Sequence, residues 1–349
     1  MKMTFRWYGE KDPVSLTNIR QIPLMSGVVT AIYDVPAGQV WSQERIDALK
    51  ATVQAQGLEM EVIESVPVHE DIKLGAPTRD KLIENYCATI RHLGKAGVKV
   101  VCYNFMPVFD WMRSDLKMKM PDGSTCLSYE QKTVDLLDPA VSDLSLPGWD
   151  ESYTREQLRG LLKQYESIDQ KQLMDNLVYF LERVIPVCEE SDVRMAIHPD
   201  DPPWSLFGLP RIISDEQGID TMLARVNSPY NGLTLCTGSL GCHPKNDIPR
   251  LAAKYARAGR IHFVHARNIK FTDELSFHET GHPTACGSLD MYGILKALYQ
   301  NGFDGYIRPD HGRNIWGEDG RPGYGLFDRA LGAMYLNGLW EGISKEEKK

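Results

Sequence analysis

The sequence predicts a closed (β/α)8 barrel of the α/β class, and three features predict it. Eight short apolar runs rich in branched residues alternate with longer stretches of helical periodicity. The usual rival, an open doubly wound sheet, is disfavoured because no glycine-rich dinucleotide fingerprint or P-loop opens a helix. Closure also gives every parallel strand two neighbours, with helices covering the outer face.

The strands are expected at MTFRWY from Met3, GVVTAIY from Gly27, EMEVIES from Glu59 and KVVCYNF from Lys99. RMAIHP from Arg194, LTLCTG from Leu233, RIHFVHA from Arg260 and GYIRPD from Gly305 complete the set. Helical spacing falls at Val14 to Gln21, Ser42 to Gln56, Thr78 to Lys95 and Gln170 to Glu189. It returns at Asp215 to Val226, Ile248 to Ala258, Leu289 to Gln300 and Leu326 to Leu339. The Ser42 hydroxyl suits a helix N-cap, and LGKAGVK and NGFDGY supply glycines where helices hand over to strands.

No Gly/Pro/Ser-rich linker divides the chain, so one catalytic domain over 1–349 is expected. Two long insertions interrupt it, at about 107–167 and 267–288. The first is too polar and turn-rich for core strand but partly helical in its second half. Both follow strands, so in a barrel both lie over the C-terminal face, where substrate is handled.

A net charge of -8 disfavours general attraction to nucleic acid or anionic lipid. No apolar stretch is long enough to span a bilayer, and the N-terminus lacks a signal core, so a cytoplasmic setting is expected. Seven scattered cysteines form no disulfide framework, and Cys87, Cys102 and Cys188 lie in apolar runs as small buried hydrophobes.

Chemistry concentrates at the ends of the last four strands, where His198, Cys236, His265 and Asp310 each follow an apolar run at similar depth. A closed barrel brings such positions around one axis. Two imidazoles, a thiolate and a carboxylate suit a divalent transition metal, with Zn, Fe, Mn and Co all open by ligand type. Each residue alone would also pass for a satisfied core side chain. His262 has the opposite parity to His265, so it is expected inside the strand or supporting a ligand. One of Asp200 and Asp201 is a candidate for orienting a ligand or a basic side chain, with a solvated turn as the equal alternative. Arg267, Lys270, Arg308 and Arg313 lie near the presumed site, and guanidinium groups there suit a small carboxylate substrate.

The stretches MKMTFRWYG, HPDDPP, LTLCTGSLG, IHFVHARN and YIRPDHGR together resemble the mannonate dehydratase family over essentially the whole chain, with LMSG after Pro23 as a departure in spacing. The resemblance implies a xylose isomerase-like barrel that removes water from D-mannonate in hexuronate breakdown, giving 2-dehydro-3-deoxy-D-gluconate. It implies manganese (Mn2+) or ferrous iron (Fe2+) on His198, Cys236, His265 and Asp310, with proton transfer by His311 and Tyr324. Arg308 and Arg313 are the candidates for substrate contact. A homodimer is expected from the family, with Trp111, Trp149 and Trp316 available to line a partner surface or close the active site. The nearest alternative is a metal-dependent sugar or sugar-acid isomerase or epimerase on the same barrel, which would use similar enediol chemistry without losing water. A noncatalytic sugar-acid-binding protein is the other alternative.

Overall fold

The structure is a computed structural model that describes residues 1–139 and 154–347. Trp149 and the middle of the first insertion lie outside the described residues. In chain order the strands are β1 (Lys2–Arg6), β2 (Met25–Thr30), β3 (Glu59–Glu64), β4 (Val100–Tyr103), β5 (Asp115–Lys119) and β6 (Thr125–Tyr129). There follow β7 (Arg194–Ile197), β8 (Asn231–Cys236), β9 (Ile261–Ala266), β10 (Ile269–Asp273), β11 (Ser276–Glu279) and β12 (Tyr306–Pro309).

Eight of these strands close the barrel in the order β1-β12-β9-β8-β7-β4-β3-β2, all neighbours being parallel. All eight correspond to the apolar runs of the sequence. The expected helices are also present, the last extending to Glu346 as Phe327–Glu346 rather than ending near Leu339. Ser42 caps its helix by accepting from the Arg45 amide. Gly97 and Gly302 take φ of +83° and +78° at the two predicted helix-to-strand turns, a region that disfavours side chains with a Cβ. No helix among the described residues is long and apolar enough to cross a membrane.

Strand alternation sorts the side chains into two environments. One set packs against the helices in the large core, including Val101, Ile197, Leu235, Val264 and Ile307. The other fills the barrel axis with Val29, Val62, Val100, Cys102, Ala196, Phe263 and Tyr306. Two residues further along their strands, at the same parity, Glu64, His198, His265 and Arg308 replace that apolar plug with polar groups. Each large apolar side chain removed from water contributes about 1.5–3 kcal/mol, so the plug is a firm floor for what sits on it.

The two insertions are not independent decorations. β5 and β6 come from the first, β10 and β11 from the second, and they join as one antiparallel sheet in the order β10-β11-β6-β5. The first insertion also holds the helix Arg155–Tyr165, as its sequence suggested. Its strands were not anticipated, because exposed residues alternate with half-buried ones in Asp115–Lys119 and leave little apolar signal.

Candidate functional site

Register lines up the strand ends. Cys236 on β8 is paired with His265 on β9, which is paired in turn with Arg308 on β12. Neighbouring strands lie about 4.8 Å apart, so three side chains of one parity stand in a row across the barrel mouth. His198 follows β7 on the other side of Cys236. Ligand atoms of His198, Cys236 and His265 all lie within 4.8 Å of one another, and the two imidazole centroids are 5.0 Å apart. Asp310 adjoins this trio, with Oδ2 3.7 Å from Cys236 Sγ.

The groups present fit a divalent transition metal. His198 Nδ1 lies 2.7 Å from the Pro199 carbonyl, which requires the hydrogen on Nδ1 and leaves the Nε2 lone pair free. Burial lowers the His198 pKa, despite the opposing pull of Glu64, Asp201 and Asp310, so the ring is neutral as a ligand must be. His265 Nε2 is buried without a hydrogen bond. Such groups are costly unless something pairs with them.

Around this centre lies a cleft of about 190 Å³ lined by Arg6, Tyr8, Glu64, Asn104, Asp110, Trp111, Asp201, Arg267, His311 and Tyr324, together with His198, Arg308 and Asp310. Charges inside it are tightly interlocked. Arg308 Nη1 is 2.6 Å from Asp310 Oδ1, and its Nη2 is 3.1 Å from Glu64 Oε1. Burial alone would raise the Asp310 carboxyl, but Arg308, His311, His265 and Arg267 outweigh it and hold the pKa well below the ordinary range. Glu64 is treated alike: burial opposes, and Arg308, Arg6 and His265 prevail. Glu64 Oε2 also stands 3.2 Å from His265 Nε2.

A second layer ties the mouth of the barrel to the insertions' sheet. Arg113 and Arg267, both fully buried, each bridge Asp201 and Glu279. Asp201 is thus the aspartate that orients basic side chains, while Asp200 is taken up by the Ile213 amide and the Ser214 hydroxyl. Glu279 Oε1 is 2.7 Å from His311 Nδ1, and His311 Nε2 is 2.8 Å from the Tyr324 hydroxyl. Trp111 packs near His311, ring centroids 5.3 Å apart. Burial pushes the Tyr324 phenol well above its usual pKa, so it stays protonated.

Two sequence-predicted residues are not brought to the cleft. Arg313 is absent from its lining because its guanidinium is held by Asp328 (Nη2–Oδ1 3.0 Å) and Asp122 (Nη1–Oδ2 2.8 Å). Lys270 is exposed on β10. His262, of opposite parity to His265, is buried with Nδ1 2.8 Å from the Met195 carbonyl, outside the group of His198, Cys236 and His265. Of the predicted aromatics, Trp111 lines the cleft, whereas Trp316 is 73% exposed. Glu64, Arg6, Arg113 and Glu279 were missed. Glu64 follows the same strand-end rule as the predicted ligands and could have been found by it. Glu279 and Arg113 sit in insertions with no pattern to single them out.

The whole chain, residues 1–349, matches the D-mannonate dehydratase (UxuA) family model. The chain belongs to the D-mannonate dehydratase family. It is 58% identical over 359 residues to the mannonate dehydratase of Thermotoga maritima, covering 100% of this chain and 99% of that protein. The crystal structure of mannonate dehydratase from Streptococcus suis serotype 2 superposes with a TM-score of 0.94 at 48% identity, covering 100% of this chain and 96% of that one. A xylose isomerase domain protein from Planctomyces limnophilus reaches a TM-score of 0.57 at 12% identity, covering 98% of each chain, a likeness of fold alone. Membership of the D-mannonate dehydratase family makes this cleft the place to seek a lyase acting on a sugar acid.

Proposed function

We propose that the cleft dehydrates D-mannonate to 2-dehydro-3-deoxy-D-gluconate, with His198, Cys236, His265 and Asp310 holding manganese or ferrous iron and His311 and Tyr324 moving the protons. The observation that carries this reading is the direct 2.8 Å contact of His311 with Tyr324 beside the cluster of ligand atoms. The metal, when bound, supplies Lewis acidity that draws on the substrate carboxylate and stabilises the charge developing as C2 loses its proton.

His311 Nε2 takes the C2 proton, leaving an enediolate whose electrons re-form a C2–C3 double bond as the C3–O bond breaks. Tyr324, kept in its protonated form by burial, gives its hydrogen to the departing hydroxyl, which leaves as water. The proton on His311 Nε2 then returns to the Tyr324 oxygen, restoring both groups. The enol so formed ketonises with protonation at C3, giving the 2-keto acid. Arg308 and Arg267 line the cleft as cations and serve to hold the anionic substrate, although each also neutralises resident carboxylates.

The test is anaerobic incubation of protein reconstituted with manganese or ferrous iron, with D-mannonate and closely related hexonates, while following 2-keto acid. Product from mannonate is expected. No product under either metal, or a product that retains the elements of water, would overturn the reading, the latter in favour of an isomerase or epimerase. As a setting, we propose hexuronate breakdown in the cytoplasm by a homodimer.

A further inference from the structure

Glu279 comes from β11, in the second insertion, yet its carboxylate meets the side chain of a residue that follows the last barrel strand. Oε1 lies 2.7 Å from His311 Nδ1, and the same oxygen accepts from Arg113 Nη2 at 2.9 Å and Arg267 Nη1 at 3.1 Å. Two guanidinium groups on one oxygen keep it an acceptor. Nδ1 of His311 must therefore carry the hydrogen. A competing contact, Arg267 Nη1 to the same Nδ1 at 3.1 Å, is longer, and that nitrogen already donates to Glu279. A short bond to a carboxylate prevails over it. With Nδ1 protonated, the Nε2 lone pair faces Tyr324, whose hydroxyl hydrogen then points at it across 2.8 Å.

We propose that Glu279 is a positioning residue for the dehydration, fixing His311 in the tautomer and orientation that present Nε2 as acceptor, so that Glu279, His311 and Tyr324 work in series. This rests on the roles given to His311 and Tyr324 above. It assigns a purpose to the antiparallel sheet: the insertions carry a carboxylate to one nitrogen of an imidazole whose other nitrogen meets Tyr324. Glu279 touches neither the cleft nor the ligand trio, as it is fully buried and absent from the cleft lining. The proton inventory is unchanged by it, since the Nδ1 hydrogen stays on His311 throughout.

Two measurements test it. Protein labelled with 15N-histidine and loaded with zinc, which is diamagnetic, reports the tautomer of His311, assigned by the signal lost in His311→Asn. The expected result is a protonated Nδ1; a proton resident on Nε2 overturns the proposal whether or not mannonate is the substrate. In the manganese enzyme, Glu279→Gln is expected to lose on the order of 100-fold in kcat, with KM changed by less than about threefold and bound metal per chain unchanged. Glu279→Asp is expected to recover at least about tenfold of that loss, and to cost less than about twofold when introduced into His311→Asn. An equal cost of Glu279→Asp in both backgrounds would mean a structural role and overturn it, as would wild-type kcat in folded Glu279→Gln. If Glu279→Gln does not fold, the Glu279→Asp pair decides alone. Absence of product from the wild-type enzyme instead overturns the assignment of mannonate, and the tautomer measurement still judges Glu279.

Discussion

The Ser239 hydroxyl lies 3.0 Å from Cys236 Sγ, and the Ser239 amide donates to the same sulfur at 3.5 Å. Two groups of one residue thus flank the sulfur through which Cys236 would hold a metal. They come from the short helix Thr237–Gly241 that turns directly out of β8, so Cys236 and the residue beside its sulfur are fixed by one segment. Ser239→Ala removes one donor and is expected to weaken manganese binding by about tenfold, measured by competition with a chelator. Affinity equal to wild type would argue against Cys236 as a ligand.

The unequal chemistry of His311 and Tyr324 gives them separable phenotypes. Both His311→Asn and Tyr324→Phe are expected to lower kcat by about 10²–10⁴-fold. Deuterium exchange from solvent into C2 of unreacted mannonate divides them. It should persist in Tyr324→Phe, where only the departing hydroxyl lacks its acid, and vanish in His311→Asn. Exchange surviving in His311→Asn but lost in Tyr324→Phe would reverse the two roles.

Legibility in the sequence followed the regularity of the backbone. The eight barrel strands are apolar on both faces because helices cover one and the plug the other, so they read as continuous runs bounded by turns. The convergence of His198, Cys236, His265 and Asp310 was legible because the end of a parallel strand in a barrel has a fixed place. Glu64 obeys the same rule but is the third glutamate of a strand already polar at Glu59 and Glu61, so it does not stand out. Glu279 and Arg113 were out of reach for a different reason. Their partners lie 166 residues apart in sequence and meet only through β6–β11 pairing, which no local pattern encodes. The split between Arg308 and Arg313 was similarly hidden. Arg308 shares the inward parity of Tyr306 and Asp310, whereas the direction of Arg313 depends on Asp328, from the final helix.

That split makes a prediction of its own. With its guanidinium held by Asp328 and Asp122, Arg313 is kept out of the cleft lining. Arg313→Met is expected to leave KM for mannonate within about twofold of wild type while lowering thermal stability, because Asp328 is buried and loses its partner. Steady-state kinetics beside a melting curve decide the matter. A tenfold rise in KM with unchanged melting would restore Arg313 as a substrate contact.

His262 sets an acid limit on the fold. Its Nδ1 donates to the Met195 carbonyl at 2.8 Å, and Gly232 packs so close that a Cβ there would come within 2.6 Å of the ring. Burial drives its pKa down from 6.5 to about 4. The unfolded chain therefore binds a proton on this ring at a pH where the folded chain does not. Its contribution is fully present above the unfolded value and is lost as pH falls from about 6.5 through about 4, amounting to about 3 kcal/mol in all. His262→Gln keeps an N–H for the Met195 carbonyl but cannot titrate. Its unfolding free energy from denaturant titrations should start lower at pH 7 and fall less steeply between pH 6.5 and 4 than that of wild type. Parallel pH profiles for the two proteins would show that His262 does not govern acid stability.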